Sequence, residues 1–159
     1  MKLKHILGAI ALAFASVFRL GAREEQVNAV GPTPNPSGVE TVTLEAAVGT
    51  KYLLLAKGTA SQSAILCTAT LIPLGPARDE GAIGDRVAVG LLGAVQGTQT
   101  MIASKAIAEN TNVYATAGGK VTDAVVSNAY WVGKTAPGSS AGADGDPISV
   151  IPRFPRINP

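Results

Sequence analysis

The chain has 159 residues, room for one domain-sized core with short appendages. Hydrophobic residues make up 47% of it but aromatics only 4%, and 18 glycines with 10 prolines interrupt it too often for a helical bundle, so short strands joined by turns are expected. Thirteen basic and eleven acidic residues are scattered along the chain, which excludes the concentrated positive footprint of a nucleic-acid binder.

Residues 1–25 begin with Lys2 and Lys4 and continue into an apolar run from Ile6 to Phe18, the order of a secretory signal peptide. Ala13-Phe14-Ala15 would suit a signal peptidase but leaves a very short apolar region before it, and the run falls short of the roughly 20 residues of a membrane span. The same residues read as a helix whose Leu3, Ile6, Leu7, Ile10, Phe14, Val17 and Phe18 recur at spacings of three and four, with Gly8, Ala11 and Ala15 beside them. Such a helix is marginal alone in water, so it is expected to be retained and to dock on its own domain, a sister subunit or another protein. His5 is the chain's one histidine and has no second imidazole with which to share a metal.

Residues 26–38 carry Pro32, Pro34 and Pro36, which favour an extended, polyproline-like arm. The folded domain is expected over 39–152. In TVTLEAAV (41–48) Val42, Leu44 and Ala46 share one side, as a half-buried strand requires. Further strands are expected at 51–58, 63–71, 86–93, 98–103, 112–116, 120–124, 129–135 and 146–152, and one helical turn at 104–110. Gly118-Gly119 supply positive φ for a tight hairpin between NVYAT and KVTDA. This pattern predicts a mainly β fold, a small antiparallel sandwich or barrel. No internal repeat long enough for a solenoid is visible. A Gly/Ser-rich loop (137–146) precedes the last strand, and residues 153–159 form an extended tail that prolines keep out of the sheet, with Phe154 as a contact residue.

Chemistry has little to work with. The one histidine lies on the N-terminal segment and the one cysteine, Cys67 in AILCTAT, reads as a small core residue, which argues against Ser/His/Asp and Cys/His schemes. The close carboxylate pairs are Glu24-Glu25, Asp79-Glu80 and Asp144 with Asp146, and no aromatic cluster gathers near them to floor a sugar site. ADGDP is a fragment of a calcium loop without its terminal Glu, and AVGLLGAVQG lacks the Gly-Lys-Ser/Thr ending of a phosphate loop. Trp131 is assigned to the core rather than to a binding hot spot. The expectation is no enzyme, no catalytic residue, no metal, no cofactor and no small-molecule substrate.

PLGPARDEGAIGDRVAVGLLG (73–93), NVYATAGGKVTDA (112–124) and YWVGKTAPGSSAGADGDPISVIP (130–152) together resemble the small capsid decoration, or cement, proteins of tailed bacteriophages. The likeness lies in the order: a Gly-Asp step into a V-A-V strand, a V-Y strand with a glycine hairpin, and a Gly/Ala-rich loop with Gly-Asp before a closing strand. It implies a β-rich domain, commonly a homotrimer, bound to the capsid exterior of the virion and stabilising the major capsid protein lattice. On that reading Leu3, Ile6, Leu7, Ile10, Phe14, Val17, Phe18, Pro32, Pro34, Pro36 and Phe154 are the partner-binding residues, and nucleic acid and membrane are not partners. The short members begin almost directly with the first strand, whereas this chain adds a helix and a proline arm. The alternative is an exported bacterial β-domain with an N-terminal signal peptide, in an envelope or adhesin-like role.

Overall fold

A computed structural model describes residues 38–158. The expected N-terminal helix and most of the expected arm, with Leu3, Ile6, Leu7, Ile10, Phe14, Val17, Phe18, Pro32, Pro34 and Pro36, lie outside the described residues. Within them the chain forms β1 (Val39–Leu44), β2 (Leu54–Lys57), β3 (Ser63–Leu66), β4 (Pro73–Pro76), β5 (Arg86–Gly90), β6 (Gln99–Ile102), β7 (Asn112–Ala115), β8 (Val121–Thr122), β9 (Tyr130–Thr135) and β10 (Pro147–Ile157). The one helical element described is a 3₁₀ turn at Ala117–Gly119.

The strands fall into two five-stranded sheets, ordered β4-β2-β3-β1-β5 and β6-β10-β9-β7-β8. Each sheet curls until its edges touch. In the first, β4 meets β5 through an Ala77–Val89 bridge; in the second, the end of β6 meets β8 through a parallel Ala103–Val121 bridge. Curling removes most of the free edge that an open sheet would present to other chains. The sheets are mixed rather than purely antiparallel, because β1 runs parallel to β3.

The two sheets are copies of one design, which we call the N-lobe (39–92) and the C-lobe (99–157). β1 pairs with β5 as β6 pairs with β10, β2 with β4 as β7 with β9, and β2 with β3 as β7 with β8. The parallel contact of β1 with β3 corresponds to the Ala103–Val121 bridge. The match extends to irregularities. In the N-lobe Leu55 faces Gly75 and Ala56 faces Pro73, leaving Leu74 as a bulge; in the C-lobe Val113 faces Gly133 and Tyr114 faces Trp131, leaving Val132 as a bulge. A Gly-Asp turn also recurs: Asp85 accepts from Ala82 N at 2.8 Å, and Asp146 from Ala143 N at 2.9 Å. The sequence hides this duplication because a shared strand register needs only apolar alternation, which many side chains satisfy.

Each lobe encloses its own core. Val42, Leu44, Val48, Leu55, Val87 and Val89 fill the first, and Met101, Ile107, Val113, Val121, Ile148 and Val150 the second. The lobes are then joined by the outer face of β2. Leu54, Ala56 and Cys67, all at most 1% exposed, belong to the C-lobe's apolar cluster although they sit on N-lobe elements. The C-lobe's 116–120 loop and the start of β9 seal this junction: Gly119 N donates to the Cys67 carbonyl at 2.9 Å, and Tyr130 N donates to that of Ala69 at 3.1 Å.

Several expectations are corrected. Residues 104–110 form no helical turn; Ile107 instead bridges Ala141 in extended conformation. PLGP at 73–76 is a strand, although its two prolines and glycine give no strand signal. The tail is not excluded from the sheet: β10 continues through Pro152 and Pro155, pairing Arg156 with Trp131 and Ile157 with Tyr130. Arg153, Phe154 and Pro155 bulge away between Pro152 and Arg156, so the prolines interrupt the ladder without ending it. The glycine hairpin is present but longer than a two-residue turn, closed by Thr116 N donating to Lys120 O at 2.9 Å with Gly118 and Gly119 at φ +71° and +73°.

Candidate docking face of the C-lobe

In an uninterrupted strand, residues 131 and 134 would point to opposite sides of the sheet. The Val132 bulge changes this. Tyr114, Trp131 and Arg156 form one cross-strand row, and Asn112 and Lys134 pair in a row two steps away, so all five belong to the same outer face. The β10 bulge adds Arg153 and Phe154 to the rim. Between them lies an open groove of about 340 Å³ lined by Asn112, Trp131, Lys134, Arg153, Phe154 and Arg156.

Three cations and two aromatic rings line this groove, and no carboxylate does. Trp131 is half-buried and belongs to neither core cluster, which corrects its assignment to the core. Its indole Nε1 is shielded from solvent and has no hydrogen-bond acceptor. A donor so placed costs free energy until an acceptor arrives. Phe154 is 69% exposed, and its ring lies over Gly93, where a Cβ would come within 2.7 Å of it. Phe154 is thus the one sequence-predicted contact residue that the described structure places on this face.

The groove continues past Tyr114 toward Ile157 and Asn158. There the β8–β9 loop is tied to the end of β10, with Asn128 N donating to Asn158 O at 3.1 Å and Asn158 N to Ala129 O at 2.9 Å. Ile157 and, in that loop, Val125 and Val126 are 51–64% exposed. An exposed aliphatic rim beside an aromatic and arginine-bearing groove has the composition of a protein-binding hot spot. The sequence signal for it was Trp131 next to Tyr130 together with the Arg-Phe-Pro-Arg tail, but no sequence rule joins them without the bulges.

The remaining polar clusters serve turns. The Glu45 carboxylate accepts from Thr59 N and Ala60 N, each at 2.9 Å, and from the Thr59 and Ser63 hydroxyls, fixing the β2–β3 loop. The Ala60 backbone hydrogen bond, followed by those from Ser63 and Thr59, holds the Glu45 carboxyl at a pKa of about 2. Asp144 pairs with Lys120 at 2.6 Å, and Asp146 accepts from Gly142 N and Ala143 N. Among the described residues no group of three His, Cys, Asp or Glu could hold a metal ion. Cys67 is fully buried, and desolvation pushes its thiol up to about 12. No described helix is long and apolar enough to cross a membrane.

No protein-family model matches the sequence, and no curated protein matches it. Among solved structures, the fold is similar to the head fiber gp8.5 N base of bacteriophage phi29, with a TM-score of 0.58 and 16% sequence identity. The match covers 76% of this chain and 98% of that one. The chain therefore shares nearly the whole fold of that base, both lobes included.

Proposed function

We propose that this chain is a non-enzymatic structural protein of a phage head, bound to the capsid exterior of the virion, where it decorates and clamps the major capsid protein lattice as a homotrimer. The observation that carries this reading is the fold shared with the phi29 head fiber base over 98% of that chain. Two features support it. The described residues form a rigid, doubly cored β body, and their outward chemistry is an aromatic and cationic docking face rather than a cluster of acids, bases or nucleophiles. Attachment draws on residues 1–37 as well, with the apolar face of Leu3 to Phe18 and the proline arm as the contacts to the coat lattice. Many modest contacts repeated by symmetry give tight attachment without one strong site.

The test is density-gradient fractionation of the source lysate, following the protein by intact mass. Co-migration with particles rich in an abundant coat protein is the expected result. A full-length chain added to undecorated heads should bind them, and one lacking residues 1–30 should bind at least tenfold more weakly while melting unchanged. Recovery only in envelope or soluble fractions, with a mass missing the first segment, would overturn the reading and leave the exported β-domain.

A further inference from the structure

The duplication makes the two lobes' outer faces comparable position by position. On the N-lobe, the face of β2 and β4 carries Leu54, Ala56 and Pro73, and it is buried against the C-lobe, with the 116–120 loop seated on it. The corresponding residues on the C-lobe are Asn112, Tyr114 and Trp131, by the shared register of β2 with β4 and β7 with β9. Asn112 and Trp131 line the open groove with Tyr114, 8% exposed, in its floor, and among the described residues no loop is seated on them. The loop that would correspond to 116–120 is the N-lobe's own β2–β3 loop, residues 58–62, and Thr59, Ala60, Ser61 and Gln62 are all exposed. Among the described residues one face and one loop are thus engaged with each other, and one face and one loop remain over.

We propose that the outer face of β7, β9 and β10 binds a second copy of this chain head to tail, receiving that copy's 58–62 loop as the N-lobe face receives the 116–120 loop within a chain. The charges agree with this docking. The open face presents Lys134, Arg153 and Arg156, while the 58–62 loop is built around the Glu45 carboxylate. Because the surfaces differ, the contact is heterologous, and repetition closes a ring when the rotation permits. This inference deepens the homotrimer part of the proposed function, and it is tested in free solution so that self-association and head binding separate. Copies that assemble but ignore heads uphold it and sink the decoration role.

The experiment compares the mass of the full chain and two variants by sedimentation velocity at micromolar concentration. Arg153→Glu/Arg156→Glu reverses exposed charges on the face, and Ser61→Tyr puts bulk on the loop. Wild-type protein is expected to sediment as a closed oligomer whose Trp131 emission shifts to the red on dilution. Each variant alone should fall to the 16.1 kDa monomer while keeping the wild-type β-rich circular dichroism at 25 °C. Mixed, the two variants should pair as a two-chain species and grow no further, because only one intact face and one intact loop are available. If the arginine variant loses that signature, Lys134→Glu carries the same test at another exposed position. A monomeric wild type, a face variant that keeps the wild-type mass, or a mixture that stays monomeric would each overturn the proposal.

Discussion

Gly75 and Gly133 occupy the same place in their lobes, one residue from each bulge, and a Cβ at either would run into a backbone carbonyl, that of Gly90 or of Ile151. Gly133→Ala should therefore destabilise the protein by about 2–4 kcal/mol in denaturant unfolding, because neither strand can retreat without breaking its ladder. Gly49→Ala, where a Cβ meets nothing within 4 Å, should stay within about 0.5 kcal/mol of wild type in the same assay. Gly119→Val should cost at least about 2 kcal/mol, since φ is +73° and its Cβ would lie 2.6 Å from the Leu54 carbonyl. This glycine was legible from the sequence, because a Gly-Gly between two short β-like runs has one obvious use. Trp131 was not, because one bulged residue reverses the side-chain parity on which strand reading depends.

Two titratable groups also make residue-scale predictions. The Glu45 pKa falls from 4.5 to about 2 on folding, so its contribution is complete above about pH 4.5 and is lost as pH drops through about 2. Melting temperature against pH should decline across that window, and Glu45→Gln should flatten this part of the profile. Cys67, buried and raised to about 12, should escape alkylation in the native protein at pH 8 and react fully in denaturant, read by intact mass.

At the scale of elements, β10 departs most from its sequence. Prolines at 152 and 155 argue for a free tail, yet the strand resumes at Arg156 because the three-residue bulge lets Pro155 sit out of register while Ile157 reaches Tyr130. Removing residues 153–159 should strip β9 of this partner. Trp131 is the chain's one tryptophan, so its emission reports directly on the loss, and a red shift with easier iodide quenching is expected. The prolines have a further effect on this edge. Beyond Val150, β10 pairs only with β9, and its other side meets incoming strands with missing donors and two arginines, a guard against indiscriminate sheet extension.

At the scale of the whole molecule, composition was enough to indicate a β-rich body, and most strand positions followed from alternation, β4 and the far end of β10 excepted. The division into two lobes did not, because one lobe's outer face is as apolar as its interior: Leu53 and Leu55 point inward while Leu54 joins the neighbouring core, so the run LLL shows no period. The shared cluster predicts a single cooperative unfolding transition. Leu54→Asn, which puts an amide where the N-lobe meets the C-lobe's apolar cluster, should split it into two calorimetric steps, the C-lobe melting first.

The tether between the lobes also settles what each outer face is allowed to be. The face around Leu54 and Cys67 is covered as soon as the chain folds and is never offered to solvent, so nothing selects against grease there. Its counterpart around Trp131 must survive on a lone, newly synthesised molecule, and there asparagine, lysine and arginine stand among the rings. Two faces with one strand register thus carry opposite chemistry within a single chain, one serving as an interior and the other as a skin.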